Sequence, residues 1–206
     1  MAPFNPKDHW ENIYQTKKLQ EVSWYQKKPE TSLEFIQQTG LPLTAKIIDV
    51  GGGDSFLVDH LLKMGYQDIT VLDIAHQAIE RAKQRLGDQA KKVKWIVKDI
   101  TNFQVIEAYD IWHDRAAFHF LTEEIDIQAY VYNASKSLKR NAYMMIGTFS
   151  EIGPKKCSGI AIKQYSAQTL TKRFKNDFVP LESQEIQHIT PTGTIQHFVF
   201  GSFRKK

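Results

Sequence analysis

Short apolar runs that end in acids, glycines or other turn residues alternate along this chain with stretches whose apolar side chains recur at helical spacing. The runs predict strands over Lys46–Val50, 69–73, Val93–Val97, 109–113 and 142–149. Between the first two, a helix opening at Ser55 carries Leu57, Leu61 and Leu62 on one face and stops at Gly65. The next runs over His76–Leu86 and stops at Gly87, because a residue just past the last turn adopts a left-handed conformation that glycine takes without strain. A third helix begins after Thr122, with Glu123, Glu124 and Asp126 at the positive end of its dipole, and runs to about Leu138; Arg140-Asn141 then turns into the fifth strand. Helical spacing returns at 169–175, and 178–188 and 194–204 alternate as strands joined by Thr190-Pro191-Thr192-Gly193, which predicts a terminal hairpin and one strand antiparallel to the rest. The first 40 residues predict two short helices, 7–14 and 29–38, the second with Pro29 at its start. Strands alternating with helices in this way predict an α/β domain around a mostly parallel sheet.

One junction in this pattern carries chemistry. Lys46-Ile47-Ile48-Asp49-Val50-Gly51-Gly52-Gly53-Asp54-Ser55 ends an apolar strand in an acid and a three-glycine turn before a helix opens. Contiguous glycines cost backbone entropy and suit a turn that a ligand approaches closely or that needs positive φ. The next strand, Thr70-Val71-Leu72-Asp73, closes in an acid 24 positions after Asp49, where a carboxylate can accept both hydroxyls of a ribose. The third strand leads to Asp99 with Ile100 beside it, a pairing suited to an adenine amino group held against an apolar wall. A dinucleotide turn spaces its glycines G-x-G-x-x-G, whereas here the sixth place from Gly51 is Phe56, and Asp49 and Asp54 put negative charge where a pyrophosphate would sit. Those carboxylates suit a cofactor with a sulfonium centre and an amino-acid tail, S-adenosyl-L-methionine.

Composition adds bounds. A chain of 206 residues, 42% hydrophobic and 12% aromatic, has the core of one domain over 1–206, with a helical lid segment at 1–40 and the sheet-bearing core at 45–206. The net charge of +4 is scattered over Lys17-Lys18, Lys27-Lys28, Lys91-Lys92 and Lys155-Lys156, which favours a solvated surface over nucleic-acid binding. No run approaches the roughly 18 to 20 apolar residues of a membrane span, Met1-Ala2-Pro3-Phe4-Asn5-Pro6 lacks the core of a signal peptide, and the single Cys157 leaves no intramolecular disulfide. The expectation is a cytoplasmic protein with no membrane partner. No metal is expected, since His113, Asp114 and His119 lack paired-ligand spacing.

From about Ile47 to Asp114 the chain resembles the class I, Rossmann-like S-adenosylmethionine-dependent methyltransferases. The resemblance implies a doubly wound seven-stranded sheet in the order 3-2-1-4-5-7-6 with an N-terminal helical segment. It also implies that Asp49, Gly51, Gly52 and Gly53 line the methionine end, that Asp73 with Ile74 binds the ribose, and that Asp99 with Ile100 meets the adenine. Gly51-Gly52-Gly53-Asp54-Ser55 with Leu57 is similar to the G-C-G-N-S turn of the lysine methyltransferases that modify elongation factor 1A and citrate synthase, as are Trp10, Tyr14, Ser23-Trp24-Tyr25 and Gly65-Tyr66-Gln67-Asp68-Ile69-Thr70. Those enzymes place Asp-Lys-Gly-Thr after strand four, where this chain reads His113-Asp114-Arg115-Ala116-Ala117-Phe118-His119-Phe120-Leu121. From His113 onward it instead resembles a group of bacterial class I methyltransferases with H-D-R-A-x-F-H-F-L, G-P-x-x-C-S-G and H-x-T-P-x-G-x-x-Q-x-F.

Ligands of open α/β sheets bind at the carboxyl ends of the strands, so the loop from His113 to His119 should face the reacting group. His113 and His119 are candidate general bases, and Arg115 can clamp a carboxylate or order Asp114; in the alternative, Asp114 and Arg115 pair structurally and one histidine caps the next helix. Trp10, Tyr14 and Trp24, with Tyr25, suit a lid that covers the cofactor and excludes water, or else the packing face of one helix. For Cys157, Tyr165, His188, Thr190, Gln196 and His197 ordinary loop, turn or core use is favoured. The expected activity is methyl transfer to N, O or S of a small molecule. The alternatives are a protein-lysine N-methyltransferase with a protein substrate, or a non-catalytic cofactor-binding regulatory module.

Overall fold

The computed structural model describes residues 4–206, so Met1-Ala2-Pro3 of the N-terminal stretch considered above lie outside the described residues. Strand β1 (Lys46–Val50) shows why the sheet needs cover on both faces: successive Ile47 and Ile48 side chains point to opposite sides and both are fully buried. The same alternation in β4 (Tyr109–Arg115) sends Ile111 to one core layer and Trp112 to the other. With β2 (Asp68–Asp73), β3 (Val93–Val97) and β5 (Leu138–Phe149), these strands form a parallel array.

The hairpin of β8 (Phe178–Ile189) and β9 (Ile195–Lys205) completes a seven-stranded sheet ordered β3-β2-β1-β4-β5-β9-β8, with β9 antiparallel to both neighbours. This is the expected order, β8 and β9 being the sixth and seventh strands of that scheme. The hairpin turn closes through Gly193 N–H to Thr190 O (2.9 Å) and Thr194 N–H to Thr190 Oγ1 (3.0 Å).

Helices α3 (Leu57–Met64), α4 (His76–Leu86), α5 (Glu124–Ser137) and α6 (Ala167–Phe174) cover the sheet, and α1 (Pro6–Thr16) and α2 (Glu30–Gln38) precede it. Asn5 caps α1 by accepting from the Lys7 and Asp8 amides, and Gly65 ends α3 at φ 95°. Most ends fall within two residues of expectation, and three differences have a physical reason or add an element. Helix α3 starts two residues late, since Ser55 Oγ accepts from Leu57 N–H and keeps the turn open to that point. Strand β5 starts at Leu138, and Arg140-Asn141 is an irregularity inside it, with Asn141 at φ 64° and a register shift against β4. Two-residue strands β6 (Lys156–Cys157) and β7 (Ile160–Ala161) form a separate ribbon that the periodicity did not predict. Among the described residues no helix is long and apolar enough to cross a membrane.

Candidate functional site

The glycine turn is pinned to the end of β2 by Gly51 N–H and Gly52 N–H, both donating to Leu72 O at 2.7 and 3.3 Å. Gly51 has φ 66° and a Cβ there would press into Ala117; Gly53 has φ 40°, and its Cβ would lie 2.7 Å from Asp73 Oδ2 and 3.0 Å from Tyr14 Oη. A side chain at either place would collide with the residues that line the cleft, so the sequence keeps glycine. Asp54 corrects one expectation: it is not free negative charge at the turn, because Arg81 (2.8 Å) and Arg85 of α4 both pair with it and tie the turn to that helix.

A cavity of about 230 Å³ opens at the carboxyl ends of β1, β2 and β4. Its walls bring together Gly51, Asp73, Ile74, Asp99 and Ile100 with the N-terminal rings of Trp10, Tyr14 and Trp24, and Arg115. The three rings serve both readings of the N-terminal segment: Trp10 packs edge-on against Trp24 (5.6 Å) and Phe120 (4.9 Å), so the packing face is also the roof. A recess of about 40 Å³ adjoins it and is lined by Asp49, Gly51 and Gly52 with Ser32, His113 and Arg115. Gly53 lies behind Asp73 and Tyr14 rather than in the cavity wall.

Of the three carboxylates that line the larger cavity, Asp73 and Asp99 each have one oxygen spent locally. Asp73 Oδ1 accepts from Ala75 N–H (2.8 Å); Asp99 Oδ1 accepts from the amide and hydroxyl of Thr101 (both 2.8 Å). Burial, reinforced by Asp49 and Glu11, pushes the Asp73 carboxyl up to about 7, which marks it as a group short of hydrogen-bond donors. Burial raises Tyr14 as well, with Asp73 adding to it.

The loop after β4 departs most from the sequence expectation. His113 Nδ1 donates to Asp49 Oδ1 (2.7 Å) and its Nε2 meets the Ser32 hydroxyl (2.8 Å), so both ring nitrogens are engaged in a buried link between β4, β1 and α2. Asp114 does not pair with Arg115; it accepts from Tyr130 Oη (2.7 Å) and from the amides of Ala117 (3.0 Å) and Phe118 (3.1 Å), which holds Ala116 at φ 66° and turns the chain over the cavity. Burial lifts Asp114 to about 6 against those bonds. His119 lies in neither cavity: fully buried, it stacks on Phe149 (4.7 Å) and accepts from Phe149 N–H (3.3 Å), and burial with the Arg115 charge pushes it down to about 3. Neither histidine is placed to take a proton from a group in the cleft, because one is bonded at both nitrogens and the other is enclosed.

Arg115 is different. Its Nη1 donates to Trp24 O (2.9 Å) and its guanidinium stands over the Phe198 ring (5.2 Å), while burial lowers it to about 10. Sequence reading missed Lys98, Thr101, Leu121, Asp126, Cys157 and Ile160 as cavity residues. Lys98, Thr101 and Leu121 sit one or two positions from named candidates and were within reach of the strand-end rule; Cys157 and Ile160 arrive on the β6–β7 ribbon, which left no periodic signal. His188 closes the ribbon side by bonding Ser23 O (2.6 Å).

These residues fit S-adenosylmethionine on the chemistry of the donor set: two part-satisfied carboxylates at successive strand ends, Ile74 and Ile100 as apolar walls, and a turn that admits no Cβ. Comparison with known proteins agrees. Residues 47–141 match the family model described as a methyltransferase domain. The chain is 29% identical over 107 residues to the mouse (Mus musculus) eEF1A lysine and N-terminal methyltransferase, covering 51% of this chain and 15% of that protein. It is 31% identical over 107 residues to the malonyl-[acyl-carrier protein] O-methyltransferase of Anoxybacillus flavithermus, covering 51% and 39%. The match thus takes in well under half of either relative's length. The fold superposes with TM-score 0.73 on Burkholderia thailandensis 1,6-didemethyltoxoflavin-N1-methyltransferase, solved with its substrate and S-adenosylhomocysteine, at 16% identity and covering 100% of this chain and 93% of that one. On its glycine turn, the sheet order around it and the family match, the segment 47–141 forms a methyltransferase domain of the class I, S-adenosylmethionine-dependent kind.

Proposed function

We propose that this chain transfers a methyl group from S-adenosylmethionine to an N, O or S atom of a small molecule. The observation that carries the reading is the roof: α1 and the Trp24 segment lay aromatic rings over a cavity that begins at Asp73 and Asp99 and ends at Arg115, Cys157 and Ile160. A cavity lined in this way suits an acceptor of a few rings or fewer.

In this reading the free oxygens of Asp73 and Asp99 would hold the ribose hydroxyls and the adenine amine, and Gly51 and Gly52 would border the methionine end. Bound there, S-adenosylmethionine supplies a methyl group activated on a sulfonium. The protein's share is orientation and exclusion of water, by Trp10, Trp24 and Phe120 above and by the Asp114-held loop below. With His113 and His119 both committed, an acceptor that is already unprotonated at the reacting atom is favoured.

A metabolite screen that monitors S-adenosylhomocysteine release by purified protein tests the reading: turnover on a small-molecule fraction is the expected result. Transfer into protein alone would favour lysine methylation, to which the likeness extends over half of this chain. Tight cofactor binding without turnover on any fraction would favour a regulatory module.

A further inference from the structure

Of the two cations that line the cavity, Lys98 is exposed, whereas Arg115 has buried nitrogens whose hydrogen-bonding capacity is only partly used. Arg115 Nη1 is spent on Trp24 O, whereas Nε and Nη2 are buried with no partner. Those two nitrogens form one edge of the guanidinium, the edge that takes both oxygens of a carboxylate in parallel bonds. Leaving such an edge buried and unpaired is costly, more so for a charged group than for a neutral one.

The chain's own acids do not use it. Asp49 is bonded to His113, Asp54 is held by Arg81 and Arg85, and Asp114 accepts from Tyr130 and two amides. Among the described residues Arg115 makes no ion pair, and Phe198 beneath it offers only a ring face. Much of the wall that it shares is apolar, with Trp10, Trp24, Phe120 and Ile160. The carboxylates of Asp73 and Asp99 belong to the opposite, adenosine end.

We infer that the acceptor is a small carboxylic acid with an apolar, preferably aromatic, body, and that the free Nε/Nη2 edge of Arg115 holds its carboxylate. This rests on the methyltransferase reading above and adds the class of substrate. The carboxylate serves as a handle, so the methylated atom lies elsewhere on the acceptor. A guanidinium in an apolar wall then selects anions from neutral molecules of equal shape, because a neutral amide would leave the charge unpaired.

Calorimetry on the S-adenosylhomocysteine-loaded protein tests this with benzoate and benzamide, which differ in charge and scarcely in shape. Benzoate is expected to bind about tenfold or more tightly than benzamide, and Arg115→Gln to remove that preference, with Arg115→Lys, which keeps the charge and loses the fork, between the two. The affinity for S-adenosylhomocysteine is expected to stay unchanged in Arg115→Gln. Equal binding of the two probes to the wild-type protein, or binding of neither, overturns the inference without any variant being needed. A fall of S-adenosylhomocysteine affinity in Arg115→Gln that matches the loss of benzoate also overturns it, by giving the arginine to the cofactor's carboxylate. If the wild-type protein fails to bind S-adenosylhomocysteine, the cofactor reading itself has failed.

Discussion

The two ends of the cleft are built on opposite principles. At the end proposed for the adenosine, Asp73 and Asp99 each accept from a backbone amide two residues on, so each carboxylate is fixed by its own turn. At the end proposed for the acceptor, Trp10, Trp24, Phe120, Arg115 and Cys157 arrive from four separate stretches of chain and are held by contacts across long sequence separations, such as Arg115 to the Trp24 carbonyl and His188 to that of Ser23. The difference teaches where specificity resides: an end assembled locally is reusable for one shared cofactor, whereas an end assembled from distant segments changes with any of them.

That contrast can be broken first at the glycine turn. Gly53→Val would force a β-branched side chain into positive φ and against Asp73 Oδ2, and should cost about 3 kcal/mol or more of S-adenosylhomocysteine affinity, read by calorimetry. Next, Asp73→Ala should weaken the same binding by about 1.5–3 kcal/mol through lost charge-assisted hydrogen bonds, while Arg115→Ala should impair turnover with cofactor affinity nearly intact. Equal cofactor losses in the two would erase the distinction between the ends.

The pH dependence sharpens it further. Ribose hydroxyls need an ionised Asp73, whose carboxyl is raised to about 7 in the ligand-free fold, so binding must displace a proton below that value. Affinity should therefore fall by up to about tenfold, or 1.4 kcal/mol, per unit as the pH drops below about 7, and Asp73→Asn should flatten the profile. The linked stability runs the other way: a carboxyl raised on folding favours the ligand-free fold most below its unfolded value, near 3.8, and that contribution is lost as the pH rises through about 7. Thermal melts with and without S-adenosylhomocysteine should diverge over this window. The smallest effect belongs to the roof: Trp10→Ala removes edge-on contacts with Trp24 and Phe120, each worth about 0.5–1.5 kcal/mol beyond buried area, and should lower acceptor kcat/KM more than cofactor affinity.

The same contrast explains what the sequence made legible. Strand ends, the glycine turn and the acids that follow it are local patterns, and their alternation with helices made a mostly parallel sheet legible, whereas the order of the seven strands came only with the family resemblance. The roles of the two histidines were not legible, because Ser32 lies 81 positions from His113 and the Phe149 amide lies 30 positions from His119. Arg140-Asn141 read as a turn because asparagine favours turns, yet the pairing of Tyr109 with Leu138 draws both into β5. The β6–β7 ribbon is too short for any period to show.

The central claim is that the cleft methylates small molecules, and the partition of label from methyl-labelled S-adenosylmethionine tests it most directly. With purified protein added to a lysate, the account predicts label in the fraction that passes a small-pore filter, in amounts that fall in Asp73→Ala. Label confined to the retained protein, or found in neither fraction while the cofactor binds, would contradict it.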